Sequence, residues 1–119
     1  MNTDEAQKEI AALLKMDGYH SIYFAADGSE FQVTVAQDDT EGVSGTFVLV
    51  VYPFQEDAYT VLDEHRVSVP PSWEVRDFEI EELVEYTVTG SSAESIAQFV
   101  NDVFSNLLRE EPVLHGLQH

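Results

Sequence analysis

Thr46-Phe47-Val48-Leu49-Val50-Val51-Tyr52 is the stretch on which the fold turns. Its residues are almost all β-branched or aromatic, and no polar side chain interrupts the run from Phe47 to Tyr52. A strand with one wet face alternates apolar and polar residues, so an unbroken run predicts a strand covered on both faces, at the centre of a sheet. Its partners lie on either side. Upstream, Ser21-Ile22-Tyr23-Phe24-Ala25 and Phe31-Gln32-Val33-Thr34-Val35 are β-rich, and Ala26-Asp27-Gly28-Ser29-Glu30 between them carries the Asp-Gly step of a hairpin. A polar loop is expected from Gln37 to Gly45. Downstream, Tyr59, Val61, His65, Val67 and Val69 share one parity and favour a strand, with a short helix over Glu56 to His65 as the alternative. Pro70-Pro71 interrupts the pattern. From Trp73 to Val88 the apolar residues change parity, Trp73 and Val75 first, then Phe78, Ile80, Val84, Tyr86 and Val88. That change predicts one strand with a bulge near Arg76-Asp77.

Helices flank this β-rich middle. Ala6, Ile10, Leu13 and Leu14 recur at helical spacing after an Asn2 or Thr3 cap, with Asp4 and Glu5 in the positive first turn and Gly18 as the stop. Ser91-Ser92-Ala93-Glu94 has the spacing of a capping box, and Ile96, Phe99, Val100, Val103, Phe104, Leu107 and Leu108 then form one apolar face. The expected fold is α+β: an antiparallel sheet of about five strands with the N- and C-terminal helices packed on one face. Residues 1–111 read as a single domain and 112–119 as a flexible C-terminal tail. A chain of 119 residues, 44% hydrophobic, with 7 Phe, 5 Tyr and Trp73, supplies a core of ordinary size.

Charge narrows the function classes. Asp and Glu number 23 against 5 Lys and Arg, a net −18. Direct nucleic-acid binding needs clustered cations to neutralise phosphates. Here Lys8, Lys15, Arg66, Arg76 and Arg109 are scattered, which argues against nucleic acid and against anionic membranes. No apolar run is long enough to span a bilayer, and the Met1-Asn2-Thr3-Asp4-Glu5 start does not resemble a signal peptide, so a cytoplasmic location is expected. With 0 Cys, disulfides and thiolate chemistry are excluded.

Catalytic and metal motifs are weak. Gly42-Val43-Ser44-Gly45 is not a nucleophile elbow, and no phosphate-binding glycine loop occurs. Asp38-Asp39-Thr40-Glu41-Gly42 lacks the frame of a calcium loop. Asp63-Glu64-His65 reads as an exposed charged strand, where neighbours face opposite ways. His115 and His119 have helical ligand spacing, yet Gly116 and Pro112 oppose a helix there; His20 reads as a lone loop histidine. No catalytic residue, metal ligand or cofactor is assigned, and the expected activity is non-enzymatic.

The densest acidic segment supplies the candidate partner-binding residues Glu74, Asp77, Glu79, Glu81, Glu82 and Glu85. On a single strand, Asp77, Glu79, Glu81 and Glu85 would form a row spaced about 7 Å apart, opposite Phe78, Ile80, Val84 and Tyr86. The first reading is a small acidic protein-binding domain, chaperone-like or adaptor-like, with a basic protein partner and room for homodimerisation through a strand edge or helix flank. Small acidic α+β chaperones of secretion systems are similar in size, charge and element order, a similarity of class and not of motif. A second reading is a nucleic-acid mimic that inhibits a DNA- or RNA-binding protein. Spread evenly over roughly 6,500 Å² of surface, the net charge amounts to one per about 360 Å², against about one per 110 Å² on duplex DNA. Mimicry therefore requires the acids gathered on one face. The third reading is adaptation to high salt, in which the charge keeps the protein soluble and names no ligand.

Overall fold

The computed structural model describes residues 3–16, 18–25, 32–40, 43–52, 58–79, 83–88, 93–108 and 113–118. Helix α1 (Thr3–Leu13) leads into strands β1 (Gly18–Ala25), β2 (Gln32–Thr40) and β3 (Val43–Val51), then helix α2 (Ala58–Glu64), strands β4 (Glu74–Glu79) and β5 (Leu83–Val88), helix α3 (Ala93–Asp102), a π-helical segment (Val103–Leu108) and β6 (Val113–Gln118). The strands form one antiparallel sheet in the order β4-β5-β3-β2-β1-β6. The chain is thus α+β, with α1 and α3 packed on each other and against one face of the sheet.

Alternation sorts the strand residues between the two faces. Ile22, Phe24, Val33, Val35, Val48, Val50, Val84 and Tyr86 point to the helix side and are buried there with Ala6, Ile10 and Leu13 of α1 and Ile96, Phe99 and Val100 of α3. Cross-strand register lines them up, Ile22 beside Val35, Val35 beside Val48, Val48 beside Tyr86. Trp73 closes the end of this core, its ring 5.0 Å from Phe99 and 6.1 Å from Tyr86, centroid to centroid, in tilted and edge-on contacts of the kind aromatic rings prefer. No helix among the described residues is long and apolar enough to cross a membrane.

Four local readings change. The stretch around residue 60 is helix α2 and not a strand: Leu62, which the alternating pattern leaves aside, is the residue the core takes, at 1% exposure. The polar loop expected from Gln37 to Gly45 is mostly strand, since β2 runs to Thr40 and β3 starts at Val43, with Gln37 paired to Thr46 by backbone register and by a side-chain hydrogen bond. Once the apolar parts of two adjacent strands are in register, polar residues continue the ladder at no loss of backbone hydrogen bonds. Trp73 to Val88 is not one strand but two, β4 and β5, paired antiparallel, with a register shift between Val75 and Asp77 where the parity changes. Residues 113–118, within the stretch expected to be a tail, pair with β1 as β6 and make the sheet six-stranded. An unpaired β1 edge presents a row of backbone donors and acceptors, and a following segment containing Val113, Leu114 and Leu117 is available to pair with it.

A fifth difference concerns the run that opened the reading. β3 lies inside the sheet between β2 and β5, as its apolar character implies. Among the described residues the helices cover only its even-numbered side: Val48 and Val50 are buried, whereas Phe47, Leu49 and Val51 on the other side are half-buried.

Candidate functional site

The acidic segment is divided by the β4–β5 pairing. Glu74 opens β4, is exposed and stands in register with Thr87. Asp77 is in register with Glu85, and Glu79 with Leu83. Glu81 and Glu82 lie outside the described residues. Glu85 is half-buried on the side of the sheet away from the helices, between Val84 and Tyr86, which face the core. The single row expected along one strand is instead divided between two neighbouring strands, with the backbone of Asp77 in register with Glu85.

What the acids adjoin was not read from the sequence. The outer side of the sheet carries Tyr23 on β1, Phe47, Leu49 and Val51 on β3 and Leu83 on β5, all half-buried, and Tyr19 at 52% exposure. Register makes Leu49 the neighbour of Thr34 and Glu85, and Val51 the neighbour of Gln32 and Leu83. None of these large residues belongs to the core cluster or to the side chains packed against it. Ala25 and Ala36 are buried on this same side, yet also stand outside the core cluster, as small residues sheltered between larger neighbours on a pleated surface do. Phe47 lies along its own strand, its ring folded over Gly45: a Cβ built on that glycine would approach Phe47 Cζ to 3.1 Å. Gly45 is therefore what lets an aromatic ring lie flat on this face. The sequence did hold a signal for the surface. Two amphipathic helices suffice to cover one face of a sheet, and a central strand apolar on both sides then leaves one apolar side over.

A second feature sits at the end of α2. His65 N donates to Val61 O at 3.2 Å, Arg66 takes a left-handed backbone with φ of 61°, and Val67 N donates to Leu62 O at 2.8 Å while Arg66 N donates to Asp63 O at 3.0 Å. This is a Schellman cap with arginine at the position that favours glycine, secured by Leu62 and Val67 in the core. Asn106 Nδ2, from the π-helical segment, donates to Arg66 O at 3.3 Å. Glu64, His65, Arg66, Ser105 and Asn106 line an open cavity of about 350 Å³. Another open cavity, about 380 Å³, lies between Val69-Pro70-Pro71 and the Glu94, Phe99 and Asp102 side of α3.

The remaining candidate residues stay apart. His20 is half-buried on β1 opposite Gln37, and Asp63, Glu64 and His65 belong to the end of α2 and its cap, not to an exposed strand. His115 falls on the backbone of β6, and His119 lies outside the described residues. Among the described residues no three His, Asp or Glu side chains are grouped to hold a metal ion. The described acids are dispersed: Asp4, Glu5 and Glu9 on α1, Asp38 on β2, Asp63 and Glu64 on α2, Glu94 and Asp102 on α3, besides those of β4 and β5. No protein-family model, curated protein or solved structure matches the chain.

Proposed function

We propose that this chain is a small, acidic, non-enzymatic protein-binding domain, adaptor-like or chaperone-like, that engages its partner through the sheet face opposite the helices. The observation that carries this reading is the composition of that face. An antiparallel sheet covered on one side ordinarily turns polar residues to water on the other. This one turns Tyr23, Phe47, Leu49, Val51 and Leu83 there, and no described helix packs on them. Contiguous apolar surface rimmed by charge is the usual mark of an interaction site. The dispersal of acids over α1, α2 and α3 as well as the sheet weighs against nucleic-acid mimicry, which needs them concentrated. The total accessible surface of 6743 Å² leaves the average charge density as dilute as the sequence implies.

The test is capture from the native host with two immobilised proteins, the wild type and a Leu49→Thr, Val51→Thr double variant. Threonine keeps the strand preference while removing apolar surface. The expected result is a stoichiometric protein partner retained by the wild type and lost by the variant. A partner retained equally by both, with the variant shown to be folded by circular dichroism, overturns the assignment to this face.

A further inference from the structure

The geometry of a sheet face restricts what can lie on it. Ladder N–H and C=O groups point along the plane of the sheet, so a segment laid across the face finds no backbone partners there and must satisfy its own peptide groups internally. A helix does so within a single segment, and a stacked sheet does so only with several strands; a lone extended segment does not. The opposite face of the same sheet is covered in this way by α1 and α3.

The face is also polarised. Along one register row, from β1 across β2, β3 and β5, it reads Tyr23, Thr34, Leu49, Glu85, with Asp77 of β4 next in register. The adjacent row reads Ser21, Ala36, Phe47, Thr87, with Glu74 next. At the β1–β3 end Tyr19, Tyr23, Phe47, Leu49 and Val51 are the large apolar residues, with Ser21, Gln32, Thr34 and Asp38 among them. In sequence, β4 and β5 at the other end hold Glu74, Asp77, Glu79 and Glu85 against Arg76. Five strands at their usual spacing span about 19 Å, the length of about 13 helical residues.

We infer, building on the protein-binding reading above, that the occupant of this face is an amphipathic helix of a basic partner, at least about 13 residues long. Its apolar stripe lies over Tyr23, Phe47, Leu49 and Val51, and Lys or Arg at one end of the stripe meets the Glu74 and Glu85 region of β4–β5. A second copy of this chain is a poor occupant: the apolar stripes of its α1 and α3 are spent in its own core, and its own outer sheet face would bring another −18 and set its Glu74 and Glu85 region against a like-charged surface.

Three synthetic peptides of about 16 residues serve as probes: a Leu-Ala helix with Lys clustered at one end, the same peptide with Glu for Lys, and the Lys peptide with Gln for Leu. Binding is followed by amide chemical shifts of the full chain. The Lys-Leu peptide is expected to shift residues 23, 47, 49, 51 and 85 and to bind at least tenfold tighter than either control. A Glu74→Lys, Glu85→Lys variant is expected to bind it about tenfold more weakly, the size expected of reversing one exposed and one half-buried charge, and to bind the Glu peptide better than the wild type does. Shifts confined to α1, α3 or the α2 cap, equal binding of the Glu peptide, or wild-type dimerisation abolished by Leu49→Thr, Val51→Thr each overturn the inference. If the Lys-Leu peptide fails to bind while the host partner is still captured by the wild type and lost by that double variant, the helical, basic occupant is wrong and the binding face stands. Capture that ignores the double variant removes both.

Discussion

Arg66 is the residue whose local chemistry and position disagree most openly. A left-handed backbone strains an L side chain by roughly 1–2 kcal/mol, and glycine escapes that strain while giving back about 0.5–1 kcal/mol in unfolded-state freedom. Arg66→Gly is therefore expected to stabilise the fold by about 0.5–1 kcal/mol, seen as a higher urea midpoint with an unchanged slope. An unchanged or lower midpoint would show that the arginine side chain contributes more than its backbone loses. The cap itself was hidden in the sequence because the usual helix-ending signal is Gly or Asn, and Asp63-Glu64-His65-Arg66 contains neither. Gly45 was equally silent. It looks like loop punctuation, and only the ring of Phe47 lying over it explains why a strand carries a glycine there.

Among the elements, the joint between β5, α3 and the segment after α2 rests on three aromatic rings. Trp73 is 3% exposed, and Phe99 meets both Trp73 and Tyr86 edge-on, at 5.0 and 6.2 Å between centroids. Trp73→Ala is expected to destabilise by about 3–5 kcal/mol, with Trp73→Phe losing less, measured by urea unfolding and far-ultraviolet circular dichroism because the substitution removes the single tryptophan. A loss below about 1 kcal/mol would mean that the ring is not part of the cooperative core. α1 and α3 were legible from spacing alone, since a helix that buries one stripe must repeat its apolar residues every three or four positions. α2 was not: over seven residues an odd-number parity and a helical face share too many positions, and the deciding residue, Leu62, is identified only by what it packs against. The parity change near Arg76 was legible as a bulge, whereas the division into β4 and β5 was not, because a strand reversing direction keeps an alternating pattern on both sides of the turn.

For the whole molecule, dispersed negative charge without matching cations makes the folded state repel itself. Raising salt from about 0.01 to about 0.1 M shortens the screening length from about 30 to about 10 Å, and a rise in Tm of roughly 5 °C is expected, levelling off above that. A Tm that climbs without levelling toward molar salt would favour adaptation to high salt as the account of the charge. One that does not move would show that the acids are too far apart to matter. By itself the sequence determined the fold class, the two packed terminal helices, the central position of residues 46–52 and the scarcity of cations, because each follows from composition or from a short-range period that survives without knowledge of partners. Tertiary structure alone decided which side of that central strand is covered, that Asp77 and Glu85 stand opposite each other, and that residues 113–118 join the sheet. Each of these depends on contacts between segments far apart in the chain. Burial is a property of what lies across from a residue: among the described residues the helices lie on one face of the sheet, and which face that is depends on contacts that no local pattern records.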